Sequence, residues 1–369
     1  MLDPRIDKLA SVLVNYSIGV RSGDKVMLNG SSLAAPLLKA VYVKVLQAGG
    51  YPLMMVSLPD IDTLLYRYAS NEQLGHIPPP TRLIYETYDA FIQIGSAENT
   101  KSLSGVDPAR LVMRNRAQRD LIKVFLQRSA IGQLRWSATL FPTQAYAQDA
   151  EMSLSEYEDF VFGACLPDME DPVSYWQKFS TWQQKVVDWL KGKSKVHVIA
   201  PETDLTLSIA GRRFINCDGH ENMPDGEVFT GPVENSVTGQ VYFSYPAIEQ
   251  GHEVSGVRLW FENGRAVKAT AEKNEGYLNK TLDTDEGSRF VGEFAIGTNE
   301  GIQRFTRQIL FDEKIHGSFH MALGAGYPET GSQSQSAIHW DMICDLRHGS
   351  EIWVDEVLLY KDGKFIIEF

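Results

Sequence analysis

The side chains of this 369-residue chain that are best suited to chemistry lie in its last third. His339 and Asp341 stand two positions apart in the segment AIHWDMICD, and His320 stands in FHMALGAGYPETG. Side chains at i and i+2 leave the same face of a β-strand, whereas on a helix they diverge. Because apolar residues alternate with these polar ones, both segments are predicted to be strands. An imidazole and a carboxylate on one face, with a second imidazole on a nearby strand, favour binding of Zn²⁺ or a similar divalent ion.

Two glutamates extend this candidate set. Glu227 lies in DGEVFTGP and Glu293 in GEFAIGTN, so the candidate metal ligands are Glu227, Glu293, His320, His339 and Asp341. Each has a simpler explanation when taken alone. A histidine in an apolar strand is usually a hydrogen-bonded core residue, Glu227 suits a surface turn, and Glu293 suits a solvated helix end. The His339–Asp341 pair is the most specific signal, because an apolar strand would otherwise leave two polar groups unpaired.

Other catalytic patterns are not found in the sequence. His252-Glu253 begins like HExxH, but Gly256 occupies the position of the second histidine. Gly317 weakens a helical pairing of His316 with His320, and His348 lies in a polar turn. No GxSxG nucleophile motif is present, and no cysteine has a recognisable base partner.

The elements that must position these residues fall into two predicted domains, 1–168 and 169–369. The first reads as alternating helices and strands, which predicts a parallel α/β sheet of Rossmann or flavodoxin type. Its predicted helices and strands are a helix from Pro4, a strand at 24–28, a helix at 34–47, a buried strand at 53–56, a helix at 61–70, a rigid turn at 78–80, a strand at 90–94, a helix at 118–128 and a strand at 136–141. The turns after these strands match neither GxGxxG nor a phosphate-binding loop, so no nucleotide is expected.

The second domain is predicted to be mixed α+β. Residues 150–192 read as helical, and the tryptophans of the last helix, from Asp171-Pro172 to Gly192, suit core or subunit-interface packing better than ligand binding. Residues 195–270 read as β-rich, with a hairpin turn at 262–264. Helices are predicted at 274–281 and 287–294, and a final hairpin turns at Asp362-Gly363.

Composition limits the class of protein. A formal charge of −12 argues against a nucleic-acid partner, because cations to replace phosphate counterions are not in surplus. The amino terminus has acidic residues and no long apolar run, so neither a signal peptide nor a membrane anchor is expected. Three widely spaced cysteines favour a reducing compartment. We therefore expect a cytoplasmic protein that binds neither nucleic acid nor membrane.

Four longer segments resemble one known family. They are NMPDGEVFTGPVE (222–234), GEFAIGTN (292–299), ILFDEKIHGSFHMALGAGYPETG (309–331) and SAIHWDMICD (336–345). In this order they resemble the thermophilic-type metallo-aminopeptidases, the family of aminopeptidase T, aminopeptidase S and aminopeptidase II. The resemblance covers essentially the carboxy-terminal half and continues more weakly through the amino-terminal half.

The resemblance implies a metallo-aminopeptidase that removes amino-terminal residues from peptides with a free amino terminus. It implies two divalent ions per subunit (Zn, Co, Mn or Mg) held by Glu227, Glu293, His320, His339 and Asp341, with Glu227 and Glu293 also counted as catalytic. It further implies a catalytic role for Tyr327 and a homodimer. The segment between Tyr327 and His339 is short compared with some family members, which leaves the pocket shape open.

The residues alone leave two alternative functions open. The same ligands serve a two-metal hydrolase of another amide or of a phosphoester. A catalytically silent, metal-stabilised binding protein would also keep them, although a site without function has little reason to retain buried charge.

Overall fold

A computed structural model describes residues 3–249 and 251–368. Its internal contacts divide the chain into two compact units. One takes the chain up to Gln177 together with Gly219–Pro224, and the other takes Lys178–Asp218 and the chain from Asp225 onward. The predicted boundary between residues 168 and 169 stays a prediction. No helix within the described ranges is both long and apolar enough to cross a membrane.

The first unit contains a parallel sheet flanked in sequence by helices. Its strands are β1 (Lys25–Ser31), β2 (Tyr51–Ser57), β3 (Ala90–Gly95), β4 (Arg135–Leu140) and a late strand, numbered β8 by its place in the chain (Asn222–Met223). Its helices are α1 (Pro4–Val12), α2 (Ala35–Gln47), α3 (Ile61–Tyr68), α4 (Asn71–Gly75), α5 (Pro79–Thr87), α6 (Pro108–Ala130), α7 (Gln144–Asp149) and α8 (Leu154–Cys165). The next helix, α9 (Pro172–Leu190), begins in this unit and ends in the second.

The strand order of this sheet is β2-β1-β3-β4-β8, and every recorded pairing is parallel. The predicted α/β fold class is therefore confirmed, because parallel strands need crossover helices between them. The strand predicted at 53–56 exists, but its predicted burial is wrong. β2 is an edge strand, and Met55 and Val56 are 37% and 46% exposed.

Two helix predictions in the first unit are wrong in extent. Pro79 and Pro80 open α5 instead of forming only a turn, since proline is tolerated in the first turn of a helix. Helix α6 starts at Pro108, ten residues before the prediction, and the side chain of Asp107 caps it by accepting from the N–H of Ala109 at 2.9 Å. Its apolar stripe is weak, so periodicity alone does not reveal its first turns.

The second unit is mainly antiparallel. One sheet has the order β14-β13-β10-β6-β5-β18-β19-β20, a hairpin is formed by β11 and β12, and a further sheet has the order β17-β16-β15-β9-β7. These strands are β5 (Lys195–Ala200), β6 (Thr203–Ser208), β7 (Ile215–Cys217), β9 (Glu227–Thr230), β10 (Thr238–Phe243), β11 (Ala247–Glu249), β12 (His252–Val254), β13 (Val257–Glu262), β14 (Arg265–Thr270), β15 (Val291–Gly297), β16 (Ser318–Gly324), β17 (His339–Asp345), β18 (Glu351–Val354), β19 (Val357–Lys361) and β20 (Lys364–Phe365). The helices are α10 (Glu275–Leu282) and α11 (Ile309–Asp312).

The sequence predicted most of this unit correctly. Asn263 and Gly264 have φ angles of 49° and 81°, and Asp362 and Gly363 have 46° and 83°. Positive φ at both central residues is the type I′ geometry that two-residue hairpins prefer, so both predicted turns are confirmed. The helix predicted at 287–294 is wrong, because 291–297 is the buried strand β15.

The core of the second unit is formed by residues from both of its larger sheets. Phe319, Met321 and Leu323 of β16 and Trp340 and Met342 of β17 belong to it. These are alternate residues, so the polar residues between them leave the opposite face of their strands. The sheet β17-β16-β15-β9-β7 therefore has one apolar face in the core and one face that carries His320, His339 and Asp341.

The tryptophans of α9 are explained by packing within the chain. Trp176 is 1% exposed, and its indole N–H donates to the carbonyl of Cys165 at 2.8 Å. Trp182 and Trp189 pack against the core of the second unit. The prediction that these residues pack instead of binding a ligand agrees with this arrangement.

Candidate metal centre

Four neighbouring strands present the predicted ligands. In the strand register, Glu227 pairs with Gly297, and Ala295 pairs with His320. Ala322 pairs with Glu293 on one side and with Asp341 on the other. Directly opposed residues project from the same face of a sheet. The antiparallel pairing thus brings all five predicted ligands to one polar face.

Small residues leave room between these side chains. Ala322 lies between Glu293 and Asp341, and Ala295 lies beside His320. Both alanines are fully buried. A methyl group at each position lets the flanking carboxylates and imidazoles converge above it, which a larger side chain would prevent.

The five side chains form two groups that share Glu293. The Nε2 atom of His320 lies 3.3 Å from a carboxylate oxygen of Glu227 and 3.3 Å from Oε1 of Glu293. The Nε2 atom of His339 lies 3.4 Å from Oε2 of Glu293 and 3.5 Å from Oδ1 of Asp341. Within each group the ligand atoms lie within 4.8 Å of one another. Each oxygen of Glu293 therefore faces a different histidine.

The donor set fits divalent ions. Oε2 of Glu227 and Oδ1 of Asp341 are buried and form no hydrogen bond among the described residues, although each lies within 3.5 Å of the Nε2 atom of a histidine. Buried carboxylate oxygens without partners are costly in a folded protein, and coordination to a cation removes that cost. Nδ1 of His339 lies 2.8 Å from the carbonyl of Ala325, which orients the ring and leaves Nε2 directed at the centre. Imidazole and carboxylate ligands suit Zn²⁺, Co²⁺ and Mn²⁺.

Mutual proximity shifts the protonation of these groups. Burial alone lowers the pKa of His320, but Glu293 and Glu227 outweigh it and raise that pKa to about 9. At His339, burial alone lowers the pKa, but Asp341 and Glu293 outweigh it and raise that pKa to about 10. Burial raises the pKa of Glu227 well above its usual value, although Lys314 and His320 oppose it. A divalent ion at this site has to displace the protons that the imidazoles hold.

Helix α9 contributes a buried residue that the sequence analysis missed. Gln183 is fully buried, and its amide donates to the carbonyls of Glu227 and Cys217 at 2.9 and 2.8 Å. The hydroxyl of Thr298 donates to its amide oxygen at 2.6 Å. These bonds fix the backbone of β9 at the point where Glu227 leaves it. No motif in the sequence links Gln183 to the site.

Glu313 and Lys314 are also missing from the predicted set. A carboxylate oxygen of Glu313 lies within 4.8 Å of ligand atoms of His320 and Asp341. Lys314 is fully buried and forms an ion pair with Glu313. Glu313, Glu227 and Asp225 raise the pKa of Lys314 above its usual value against the effect of burial. In the sequence this pair stands among other polar residues in FDEKIHG, directly before β16, so no local pattern marks it.

Tyr327 lies at the edge of the same site. Its ring contacts Phe229 at 5.3 Å and His339 at 5.1 Å between ring centroids, and it is 40% exposed. Burial and the surrounding carboxylates raise its pKa above the usual value, so the phenol keeps its proton at neutral pH. It can therefore donate a hydrogen bond. The exposed His348 and His252 do not take part in the site, as expected.

Comparison with known proteins identifies the class. Residues 2–365 match the model of the thermophilic metalloprotease family, M29, and the chain belongs to that family. Aminopeptidase 2 of Geobacillus stearothermophilus is 27% identical over 359 residues, with 88% of this chain and 84% of that protein covered. Aminopeptidase T of Thermus thermophilus is 27% identical over 353 residues, covering 88% of this chain and 85% of its own length. The resemblance inferred from the sequence is confirmed.

Solved structures agree on the fold. The structure of wild-type AmpT from Thermus thermophilus superimposes with a TM-score of 0.86 at 22% identity, over 98% of this chain and 99% of that one. A 2,5-dihydroxypyridine dioxygenase from Pseudomonas putida superimposes with a TM-score of 0.61 at 12% identity, over 98% of this chain and 97% of that one. The likeness to a dioxygenase shows that the fold alone does not define an activity, so function has to be argued from the site.

Proposed function

We propose that this metalloprotease is an aminopeptidase that removes amino-terminal residues from peptides and uses two divalent ions. The proposal rests on the position of Glu293, whose two oxygens face His320 and His339 separately. A mononuclear catalytic zinc usually has three protein ligands. Five ligands with a shared carboxylate are more than one such ion uses, which supports a pair of ions. Curated relatives named aminopeptidases support the peptide substrate.

In this proposal the ligands divide into two sets of three. Glu227, Glu293 and His320 would hold one ion, and Glu293, His339 and Asp341 would hold the other. When bound, such ions supply Lewis acidity to a scissile carbonyl and lower the pKa of a water molecule. Glu227 and Glu293 count as catalytic because they would bind the ions that supply this chemistry. Zn²⁺, Co²⁺, Mn²⁺ and Mg²⁺ are the candidate ions.

The remaining groups move protons and stabilise charge. Glu313 lies beside the centre and is not needed as a ligand, so we assign it to proton transfer. It takes the proton from the attacking water as the C–O bond forms, and the leaving amine receives that proton as the C–N bond breaks. Lys314 holds Glu313 beside the centre through their ion pair. Tyr327, with its phenol protonated, donates a hydrogen bond to the developing oxyanion or orients the substrate.

A cytoplasmic location and a homodimer also belong to this proposal. Both rest on the sequence arguments and on the family resemblance. The tryptophans of α9 lend the dimer no support, because they pack within the chain.

Hydrolysis of leucyl-p-nitroanilide, before and after chelation, tests the proposal. We expect activity that a chelator removes and a single divalent ion restores, with no hydrolysis of the N-acetylated substrate. Cleavage of aryl phosphates instead of the anilide would favour the phosphoesterase alternative. A folded, metal-loaded protein that cleaves neither would favour the binding protein.

A further inference from the structure

The segment that joins β16 to β17, residues 325–338, carries Tyr327 and is held through its backbone. The hydroxyl of Thr330, a fully buried residue, donates to the carbonyl of Tyr327 at 2.7 Å. The backbone N–H of Thr330 donates to the same carbonyl at 3.1 Å, and its own carbonyl accepts from the N–H of Arg213 at 3.0 Å. The backbone position of Tyr327 is therefore coupled to the connection between β6 and β7, in which Arg213 lies.

An ion pair outside the metal centre holds the next part of this segment. The guanidinium of Arg212 bonds to a carboxylate oxygen of Glu234 at 2.6 Å and also donates to the carbonyl of Gly331. The other carboxylate oxygen of Glu234 accepts from the backbone N–H of Gln333 at 2.7 Å. Only 9% of the Arg212 side chain is exposed. The pair thus bridges two backbone groups, the carbonyl of Gly331 and the N–H of Gln333, which lie four and six residues after Tyr327.

The segment also lies so close to neighbouring backbone that it has little room to move. A Cβ atom added to Gly231 would lie 2.6 Å from Cβ of Ser332, and one added to Gly326 would lie 2.1 Å from Oγ of the same serine. A Cβ on Gly292, next to Glu293, would lie 2.2 Å from the carbonyl of Ala325. These contacts leave little free space around the segment, to which the Arg212–Glu234 pair adds its bonds at Gly331 and Gln333.

We propose that Arg212 and Glu234 are positioning residues that hold the Tyr327 segment where its phenol meets the substrate. The inference rests on the proposed aminopeptidase function and adds residues that the ligand set does not include. Arginine suits the task because its planar fork can bind a carboxylate and a carbonyl at once, which the single ammonium of a lysine cannot do in the same geometry. Neither residue touches the metal ligands in the contacts described here.

Kinetics of Glu234→Ala and Arg212→Met provide the first test. We expect kcat on leucyl-p-nitroanilide to fall roughly 10- to 100-fold, since small misplacements of a catalytic group have effects of that size. KM and the metal content per chain should stay close to wild type. Arg212→Lys should fail to restore kcat. Glu202→Ala is the matched control, because it removes the carboxylate partner of another arginine, Arg258, in the same unit and should leave kcat unchanged.

A double-mutant cycle with Tyr327→Phe tests whether the pair acts through the phenol. If it does, Glu234→Ala should lower kcat less than about twofold in the Tyr327→Phe background, because the group it positions is already absent. If the double variant instead lost kcat by the product of the two single-variant losses, the proposal would be overturned. Full activity of Tyr327→Phe would overturn it as well, and would leave the metallo-aminopeptidase assignment standing on the chelation experiment.

Amide hydrogen exchange gives a readout that does not depend on activity. In Glu234→Ala, exchange should accelerate in peptides that cover 325–338 and stay unchanged in β16 and β17. Unaltered exchange in that segment would show that the pair does not hold it, whatever the substrate of the enzyme is.

Discussion

The Oε2 atom of Glu293 lies 3.4 Å from Nε2 of His339, although the two residues come from strands that are not neighbours in their sheet. Strand β16 separates them, and the contact spans it above the methyl group of Ala322. The other oxygen of Glu293 faces His320 on that intervening strand. One carboxylate therefore connects both halves of the candidate metal centre.

Replacing this carboxylate should disable both halves at once. We expect Glu293→Gln to abolish turnover and to lower the metal content to at most one ion per chain, because an amide cannot bridge two cations as a carboxylate does. Atomic emission on the purified variant, together with circular dichroism as a check of folding, measures this. A variant that keeps both ions and full turnover would contradict the bridging role.

Metal binding should release protons. The pKa values of His320 and His339 are raised to about 9 and about 10, so both imidazoles are protonated at pH 8 and have to become neutral to act as ligands. Apparent metal affinity should therefore rise with pH and level off above about pH 10. Calorimetric titration in buffers of different ionisation enthalpy counts the protons. Binding at pH 8 without proton release would show that these imidazoles are already neutral at that pH.

Glu313→Gln separates proton transfer from metal binding. The amide keeps the shape of the side chain but cannot take up a proton, and general base catalysis typically contributes about 10² to 10⁴ in rate. We expect kcat to fall within that range while both ions remain bound. Loss of an ion in this variant would instead make Glu313 a ligand, a role its distance to His320 and Asp341 also permits.

Ala322→Leu tests whether space above β16 is needed. A leucine at this position would occupy the room between Glu293 and Asp341, so metal binding should be lost. Met321→Leu, one residue earlier, faces the core and is nearly volume-conserving, so it should cost less than about 1.5 kcal/mol and retain metal. If Ala322→Leu bound two ions normally, the ligands would have to meet elsewhere.

The sequence predicted which strand faces carry the histidines and Asp341, but it did not predict the buried strand that carries Glu293. Alternation identified β16 and β17 and placed His320, His339 and Asp341 on one face. The same rule failed for β15, because Phe294, Ala295 and Ile296 form a continuous apolar run that shows no alternation of polar and apolar residues. Glu293 was consequently assigned to a helix, although it was recognised as a candidate ligand.

Residues that support the ligands could not be predicted from local patterns. Gln183 lies on a helix whose aromatic stripe dominates its sequence, and it reaches Glu227 only through the tertiary fold. Lys314 reads as a solvated cation, yet it is fully buried because carboxylates surround it. Long-range pairing decides such positions, and a single sequence contains no direct record of it.

Residues Gly219–Pro224 belong to the first unit but follow part of the second unit in the chain. The first unit therefore cannot be complete until that part of the second has been synthesised. Strand β8 pairs with β4 through Asn222 and Met223, and the N–H of Ala138 donates to the carbonyl of Glu221 at 2.8 Å. A nascent chain that ends at Gln177 therefore lacks the last strand of its parallel sheet and leaves β4 as an open edge, the kind of surface that recruits foreign strands. The ribosome has to deliver β5, β6 and β7 of the second unit before the first can close. A gene fragment that ends at Gln177, inside helix α9, would encode an aggregation-prone protein. A fragment extended to residue 224 would carry the missing strand.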